Sequence, residues 1–234
     1  MKNDPMSDLP QHKWPIISDL YPDIVSAISE NKAFGFDVFK YHEKALKAMR
    51  WIKRGLNRLN IVDEMFNAYT VSCGDVKPEL KLVAREISEE DRKRLNFEAL
   101  VFSVVLFLQY SNRNIFQDST LKFRTFSYEV LLGLQDYYFK KKMYIIPDIV
   151  VKDVYPTIKL DHSKPLTVKT RVEEYYQAQT LEQILKKFTF HAAHAIDPWQ
   201  YVIAEMVALS FIEVLQSIVD EVFNLIFKDC NKWI

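Results

Sequence analysis

Apolar residues recur at helical spacing along several long stretches of the chain, and this periodicity predicts a mainly α-helical fold. One strong stretch begins at a capping Asp37 and extends to about Asn60, with its apolar positions on a single side. Another begins at Ser88, a serine N-cap that is followed by acidic residues, as the helix dipole favours. The second half of this stretch is apolar on almost every side, which indicates a helix buried at the centre of the domain.

Three shorter patterns predict further helices, at about 22–31, 62–71 and 125–143. Two capping boxes, in which a Thr or Asp precedes a Gln by three positions, predict the starts of the last two helices. They are Thr180 with Gln183 and Asp197 with Gln200, the second with Pro198 in the first helical position. The final helix is expected to be enclosed near Trp199–Val207 and amphipathic from Phe211 onward.

The pattern changes over 144–170, a segment that is rich in β-branched residues and interrupted by three prolines. Prolines confine strands to sheet edges, so this segment predicts two or three short strands. The predicted fold is therefore a mainly α, multi-helix, bundle-like domain with a small β segment inserted before two C-terminal helices. An extended arm over 1–15 and a helical lobe over 16–143 precede the β segment, and a helical pair at 171–234 packs on the same core.

Composition narrows the classes of function. The chain has only four glycines and no glycine-rich phosphate loop, which argues against a glycine-cradled nucleotide site. Its two cysteines, Cys73 and Cys230, are far apart and are expected to be ordinary thiols in a reducing compartment. The longest apolar run is too short to span a bilayer, and no secretory signal is present. We therefore expect a cytoplasmic protein, with the nucleus as the alternative, and no cofactor.

The helix that follows Asp37 carries a line of basic side chains opposite its apolar side. The members of this line are Lys40, Lys44, Lys47, Arg54 and Arg58, with Arg50 flanking the line and Trp51 inside it. Such a line suits an acidic protein partner, or a nucleic acid whose phosphates it follows and whose bases stack on Trp51. The simplest interpretation is the solvated face of an amphipathic helix, and Glu43 dilutes its charge. Equal numbers of basic and acidic residues, 31 of each, do not favour a protein built to coat nucleic acid.

His191 and His194 are one helical turn apart, a spacing that can present two nitrogens to one metal ion, with Asp197 just beyond. The neighbouring Lys187 opposes a cation, and Asp197 already serves as an N-cap. The two histidines also lie beside the predicted apolar stripe and not at its centre. We therefore expect them at the exposed edge of the helix, with a metal site as the alternative.

A nuclease-like arrangement is the remaining catalytic candidate. Glu129 lies on a helix that precedes a predicted strand with Asp148, and metal-dependent nucleases use such carboxylates to hold Mg²⁺. The next strand, at 157–159, lacks the acid that this arrangement needs beside its lysine. Asp161 and Lys164 would serve only with an altered spacing.

The sequence is most typical of a non-enzymatic helical interaction protein, such as an adaptor, an assembly factor or a viral or phage accessory factor. It would act through protein–protein contacts, for example a groove that accepts a partner helix. A homo-oligomer through the C-terminal helix is one form of such contact, and no membrane association is expected. Two alternatives stay open: a nucleic-acid-binding protein that uses the basic face over 40–58, and a metal-dependent nuclease-like enzyme.

Overall fold

A computed structural model describes residues 38–73, 87–117, 120–140, 180–196 and 201–228, together with residues 171, 174, 175 and 178. These residues form six helices and, within the described ranges, contain no strand. The helices are α1 (Val38–Asn57), α2 (Ile61–Cys73), α3 (Glu89–Asn114), α4 (Thr120–Lys140), α5 (Leu181–Ile196) and α6 (Tyr201–Phe227). The predicted mainly α, multi-helix fold is confirmed.

Several predicted elements lie outside the described residues. They are the arm over 1–15, the helix near 22–31, the small β segment over 144–170 and the capping box at Asp197. Two other predicted caps are present in the structure. The Ser88 hydroxyl oxygen accepts a hydrogen bond from the Asp91 backbone amide at 3.1 Å, and that of Thr180 accepts one from Gln183 at 3.2 Å. These bonds satisfy backbone donors that the first turn of each helix leaves without an intrahelical acceptor.

Helix α3 is the centre of the bundle. Every residue from Phe97 to Leu108 is buried, and α3 contacts each of the other five helices. This confirms the prediction of a central helix and explains why its second half has no polar side. The burial includes one ionisable side chain, that of Glu98, which therefore needs a partner inside the protein.

Helix α1 lies on the surface of the bundle, against α4 and α6. Its predicted apolar side is buried, as the amphipathic pattern requires. The buried residues on this side include Tyr41, Ala45, Met49, Ile52 and Leu56. A Cβ added to Gly55 would come within 2.8 Å of Ile218 on α6, and the Lys44 ammonium contacts the Ile226 carbonyl. Because the two contacts run in opposite order along the two helices, α1 and α6 are antiparallel.

Helix α6 is amphipathic, as predicted, with Phe211, Leu215 and Val219 fully buried. Two residues depart from the prediction. Met206, which was expected to be enclosed, is 43% exposed, because it precedes Glu213 by two helical turns and so lies on the polar side. Leu225, an apolar residue of the amphipathic stretch that follows Phe211, is 38% exposed and lies at the border of the apolar side.

Aromatic side chains fill the region where the helices α1, α3, α4 and α6 meet. The ring centroids of Phe116 and Phe126 are 5.3 Å apart, and Phe227 lies 5.8 Å from Phe126 and 6.1 Å from Phe107. The first two pairs are tilted and edge-on, and the rings of Phe107 and Phe227 are stacked. Edge-on and offset-stacked pairs at such distances are favourable for aromatic quadrupoles. This cluster holds the C-terminal end of α6 against the centre of the bundle. Within the described ranges, none of the helices combines the length and apolarity needed to cross a membrane.

Candidate functional site

The predicted basic face divides into two parts in the structure. Lys47, Arg50, Arg54 and Arg58 are exposed, whereas Lys40 and Lys44 are partly buried. From Lys47 to Arg54 the helix rises about 10 Å, and Arg58 lies in the turn that follows it. We call the four exposed residues the cationic face.

No carboxylate in the described part of the chain lies within ion-pair distance of the cationic face. The nearest acid along the same helix, Glu43, is exposed and makes no ion pair with it. Exposed cations without a carboxylate partner are solvated by water and keep their long-range field. The face is therefore available to a negatively charged partner.

Lys44 has a different role. Its ammonium donates a hydrogen bond to the Ile226 carbonyl oxygen, 3.4 Å away, at the C-terminal end of α6. The last carbonyls of a helix have no intrahelical donor, and the helix dipole favours a cation beside them. Lys44 therefore joins α1 to the end of α6, and it contributes less to the outer surface than its place in the basic line predicts.

Trp51 is half-buried and packs against the hydrophobic core. The Arg54 guanidinium lies over its ring, 5.1 Å from the centroid, in a cation–π contact. Stacking of a nucleic-acid base requires an open aromatic face. The guanidinium occupies one side of the ring, so Trp51 supports the position of Arg54 more readily than it stacks a base.

His191 and His194 are both buried, and the prediction that they lie at an exposed edge is wrong. Helix α5 is enclosed by α3 on one side and by α6 on another, so its second half has little contact with solvent. His194 Nδ1 lies 2.8 Å from the Phe190 carbonyl oxygen. Burial lowers the pKa of His194, and the charge of His191 lowers it further. The hydrogen bond to Phe190 raises this pKa, but its effect is smaller.

The metal alternative gains no support from the described residues. Searched together, they contain no group of three His, Cys, Asp or Glu side chains that could hold a metal ion. The third candidate ligand, Asp197, lies outside the described ranges.

The sequence did not predict what His191 contacts. Its Nε2 lies 2.8 Å from Glu174 Oε1 and also contacts the Arg171 guanidinium. Arg171 in turn contacts Glu174, and its Nε lies 2.9 Å from Oε1 of Glu98 on α3. The Arg171 Nε–H does not point at that oxygen, so this contact is electrostatic and not a directed hydrogen bond.

Two further side chains complete this buried network. The Tyr175 hydroxyl donates to Glu98 Oε2 at 3.4 Å, and the Lys187 ammonium lies 3.6 Å from Glu174 Oε1. Glu98, Arg171 and His191 are almost fully buried, whereas Glu174 and Lys187 reach solvent. The network thus connects α3, α5 and the segment that contains residues 171, 174 and 175, from the core to the surface.

Electrostatics within the network are strong. Burial alone would raise the pKa of Glu174, but its hydrogen bond with His191 and the nearby positive charges lower it to about 2. Burial would lower the pKa of Arg171, but the charges of Glu98 and Glu174 raise it above its ordinary value. Burial, assisted by the Glu98 charge, raises the pKa of Tyr175 well above its usual range. Glu98 and Glu174 therefore both contact the charged guanidinium of Arg171, and Glu98 also accepts from the neutral phenol of Tyr175.

The sign of the Glu174 effect on stability follows from linkage. Its pKa is lower in the folded chain than the unperturbed value of 4.5. The ionised carboxylate therefore stabilises the fold above that pH, and this contribution is lost as the pH falls toward about 2.

Glu129, the acid of the nuclease-like arrangement, has a partner elsewhere. Its Oε2 lies 2.6 Å from Nδ1 of His42 on α1, and this pair links α1 to α4. The other members of that arrangement, Asp148, 157–159, Asp161 and Lys164, lie outside the described residues.

The chain matches no protein-family model, and no curated protein or solved structure shows significant similarity to it.

Proposed function

We propose that the chain is a non-enzymatic interaction protein that binds an acidic segment of a protein partner through the cationic face of α1. The observation that carries this proposal is the row of four exposed cations, Lys47, Arg50, Arg54 and Arg58, without a carboxylate partner in the described part of the chain. Complementary charge accelerates association and selects among partners, even where each surface ion pair adds little affinity.

Two observations favour a protein partner over nucleic acid. The Trp51 ring carries the Arg54 guanidinium on one side and packs on the core, so it offers a poor platform for a base. The whole chain also has no excess of basic residues, whereas nucleic-acid affinity depends on neutralising many phosphates.

A second copy of the chain is one source of an acidic surface. Three acidic residues of α6, Glu213, Asp220 and Glu221, are exposed on its outer side. Homo-oligomerisation through α6 would present them to the cationic face of another molecule. Surface ion pairs alone contribute too little to hold a stable dimer, so such self-association would be weak and sensitive to salt.

Binding to a labelled amphipathic helical peptide with an acidic face tests the proposal, with fluorescence anisotropy as the measurement. The variant replaces the cationic face by glutamine, which preserves helix propensity. Its substitutions are Lys47→Gln, Arg50→Gln, Arg54→Gln and Arg58→Gln. We expect it to lose about tenfold or more in affinity, the combined effect of four surface charge pairs.

A charge-matched control removes four exposed cations elsewhere. Its substitutions are Lys93→Gln, Arg113→Gln, Lys186→Gln and Lys228→Gln. This control should keep the affinity of the unchanged chain. Equal losses in the two variants would mean that only total charge matters, and the proposal would then be wrong. Tighter binding to a single-stranded oligonucleotide than to the peptide, with a steep loss of affinity as salt rises, would establish the nucleic-acid alternative instead.

A further inference from the structure

Two neighbouring helices of the bundle, α1 and α6, carry opposite charges on their outer sides. Each outer side has a row of exposed residues that recur every four positions, the spacing of a ridge on a helix. The rows are Leu46, Arg50, Arg54 and Arg58 on α1, and Glu213, Ser217, Glu221 and Leu225 on α6. A surface that carries both signs side by side can pair with a second copy of itself.

A two-fold axis parallel to the helices would bring the two rows together. Rotation about that axis places the α6 of one copy over the α1 of the other, and the reciprocal contact forms at the same time. Since α1 and α6 are antiparallel within a chain, each would also be antiparallel to the helix that it meets in the second copy. The positive end of each helix then lies beside the negative end of its partner, which the helix dipoles favour.

The exposed rows point in the direction that this arrangement requires. Gly55 faces the α6 of its own chain, and Arg54 lies about a quarter of a turn from it around α1, on the solvent side. Ile218 faces α1, and Ser217 and Glu221 lie about a quarter of a turn or less from it around α6, again on the solvent side. Each row therefore faces outward beside the contact between the two helices of one chain.

The symmetry also fixes the register of the two rows. Rotation about an axis parallel to the helices moves nothing along them, so the α6 of the second copy lies level with the α6 of the first. Within one chain, Gly55 lies level with Ile218, and the Lys44 ammonium reaches the Ile226 carbonyl. Because each step forward along α1 is a step back along α6, these two contacts determine which residues are level.

This register brings opposite charges together. By the two contacts, Arg50 lies level with residues 220–223 of α6, and Arg58 lies level with residues 212–215. Four residues span about 5 Å of helix, a distance that long side chains such as Arg and Glu can bridge. Each range contains one exposed glutamate. The resulting pairs join Arg50 to Glu221 and Arg58 to Glu213 of the second copy.

The same register accounts for the positions beyond these pairs. Leu46, 43% exposed, lies level with Leu225, 38% exposed, so two apolar side chains meet. Glu43 is the only acid of α1, and it lies level with Lys228, the exposed cation just after α6. The sign of the charge therefore reverses at the same level on both helices, and the pair stays complementary.

We propose that the chain forms a symmetric dimer in which the cationic face of α1 binds the acidic outer side of α6 in a second copy. The inference rests on the proposed function, because it names a second copy as the acidic partner of that face. Each pair occurs twice, and the two leucine contacts add apolar area to ion pairs that contribute little alone. Such a dimer is weak and dissociates as salt screens its charges.

Sedimentation velocity of the full chain over a range of concentrations tests the dimer. At about 0.02 M salt we expect a concentration-dependent dimer, and at about 0.5 M salt a monomer. Arg50→Glu and Glu221→Arg each replace two attractive contacts by two repulsive ones, so each should weaken the dimer about tenfold or more. Lys93→Glu is the control, a charge reversal at an exposed position on α3 that should leave the dimer unchanged.

A mixture of the two interface variants gives the sharpest test. In the mixed dimer, one contact joins the two substituted residues with their charges exchanged, and the other joins the original Arg50 and Glu221. Both contacts are attractive again, so the mixture should dimerise about as tightly as the unchanged chain, although neither variant does so alone.

Three results would overturn the inference. The first is a monomer at every concentration in low salt, and the second is a dimer that neither reversal weakens, which would place the contact elsewhere. The third is rescue of Arg50→Glu by Glu213→Arg and not by Glu221→Arg, since that pairing belongs to a parallel arrangement of α1 and α6. A monomer that still binds the acidic peptide through the cationic face would leave the proposed function standing and remove only the second copy as its partner.

Discussion

Arg171 shows how much one residue can determine in a helical bundle. Its guanidinium is the only group of the network that contacts a side chain from α3, from α5 and from its own segment. A buried charge without a partner is far more costly than a buried pair, so each member of the network depends on the others. The exposed cations of α1 behave in the opposite way, because they are open to water and none of them is paired with a carboxylate in the described part of the chain.

We predict that removing Arg171 alone lowers the free energy of unfolding more than removing both charges of the Arg171–Glu98 pair. Arg171→Met leaves Glu98 buried without its cation and should lower the free energy of unfolding by about 3 kcal/mol. Glu98→Gln combined with Arg171→Met removes both charges, so it should cost less than Arg171→Met alone. Urea denaturation of the single and double variants measures this coupling.

Lys187→Met is the matched control for that experiment. The Lys187 ammonium lies 3.6 Å from the same carboxylate that Arg171 contacts, but a third of its side chain is exposed. Its removal should cost less than about 1 kcal/mol, as is usual for solvated ion pairs. A double variant that is less stable than Arg171→Met would contradict a network held together by mutual charge compensation.

At the scale of elements, α1 is held close to two neighbours by glycines. An added Cβ at Gly55 would lie 2.8 Å from Cγ2 of Ile218 on α6, and one at Gly133 on α4 would lie 3.2 Å from Cγ of Met49. Ile218 is β-branched and stiff, whereas Met49 is unbranched and adaptable. An added methyl group should therefore be tolerated better at Gly133 than at Gly55.

Gly55→Ala should lower the free energy of unfolding by about 1 kcal/mol, because the clash with Ile218 exceeds the gain in helix propensity. Gly133→Ala, its control, should be close to neutral because Met49 can move aside. Thermal or urea unfolding measures both. Adding Ile218→Ala to Gly55→Ala should remove the clash, so the double variant should lose less stability than the two single losses added together. A Gly55→Ala variant that is as stable as the unchanged chain would show that α1 and α6 are not packed this closely.

Local signals sufficed for the caps at Ser88 and Thr180 and for the central position of α3, because capping and periodicity depend on neighbours in sequence. The burial of His191 could not be predicted, because it depends on α3 and α6 enclosing α5 from two sides. Glu98, a lone carboxylate in an apolar helix, was the one local sign of the buried network. Its partner Arg171 is far away in sequence.

For the same reason, the sequence predicted the positions of only some of the basic-face residues of α1 correctly. The outer positions of α1, Lys47, Arg50 and Arg54, follow from helical periodicity alone. The exceptions, Lys44 and Trp51, are defined by tertiary contacts: the first with the end of α6, the second with the core and with Arg54. Periodicity predicts the side of a helix on which a residue lies. It does not predict which neighbouring helix covers the residues at the edge of that side.

At the scale of the whole molecule, charge is balanced in total but uneven in distribution. The chain has 31 basic and 31 acidic residues, yet four exposed cations lie on α1 and the turn that follows it, whereas the exposed charged residues of α6 are all acidic. Such an arrangement orients an approaching charged partner without making the protein adhere to every polyanion. The buried network lies elsewhere in the bundle and includes no residue of α1.

The most direct test of the cationic face is a residue-by-residue map of the bound acidic peptide. Backbone amide shifts of the isotope-labelled chain, followed during titration with the peptide, identify the contacted surface. We predict that the largest changes fall over 47–58 on α1 and its following turn, and that they disappear in the four-glutamine variant. Changes centred on α5 or on the outer side of α6, with 47–58 unaffected, would contradict the account.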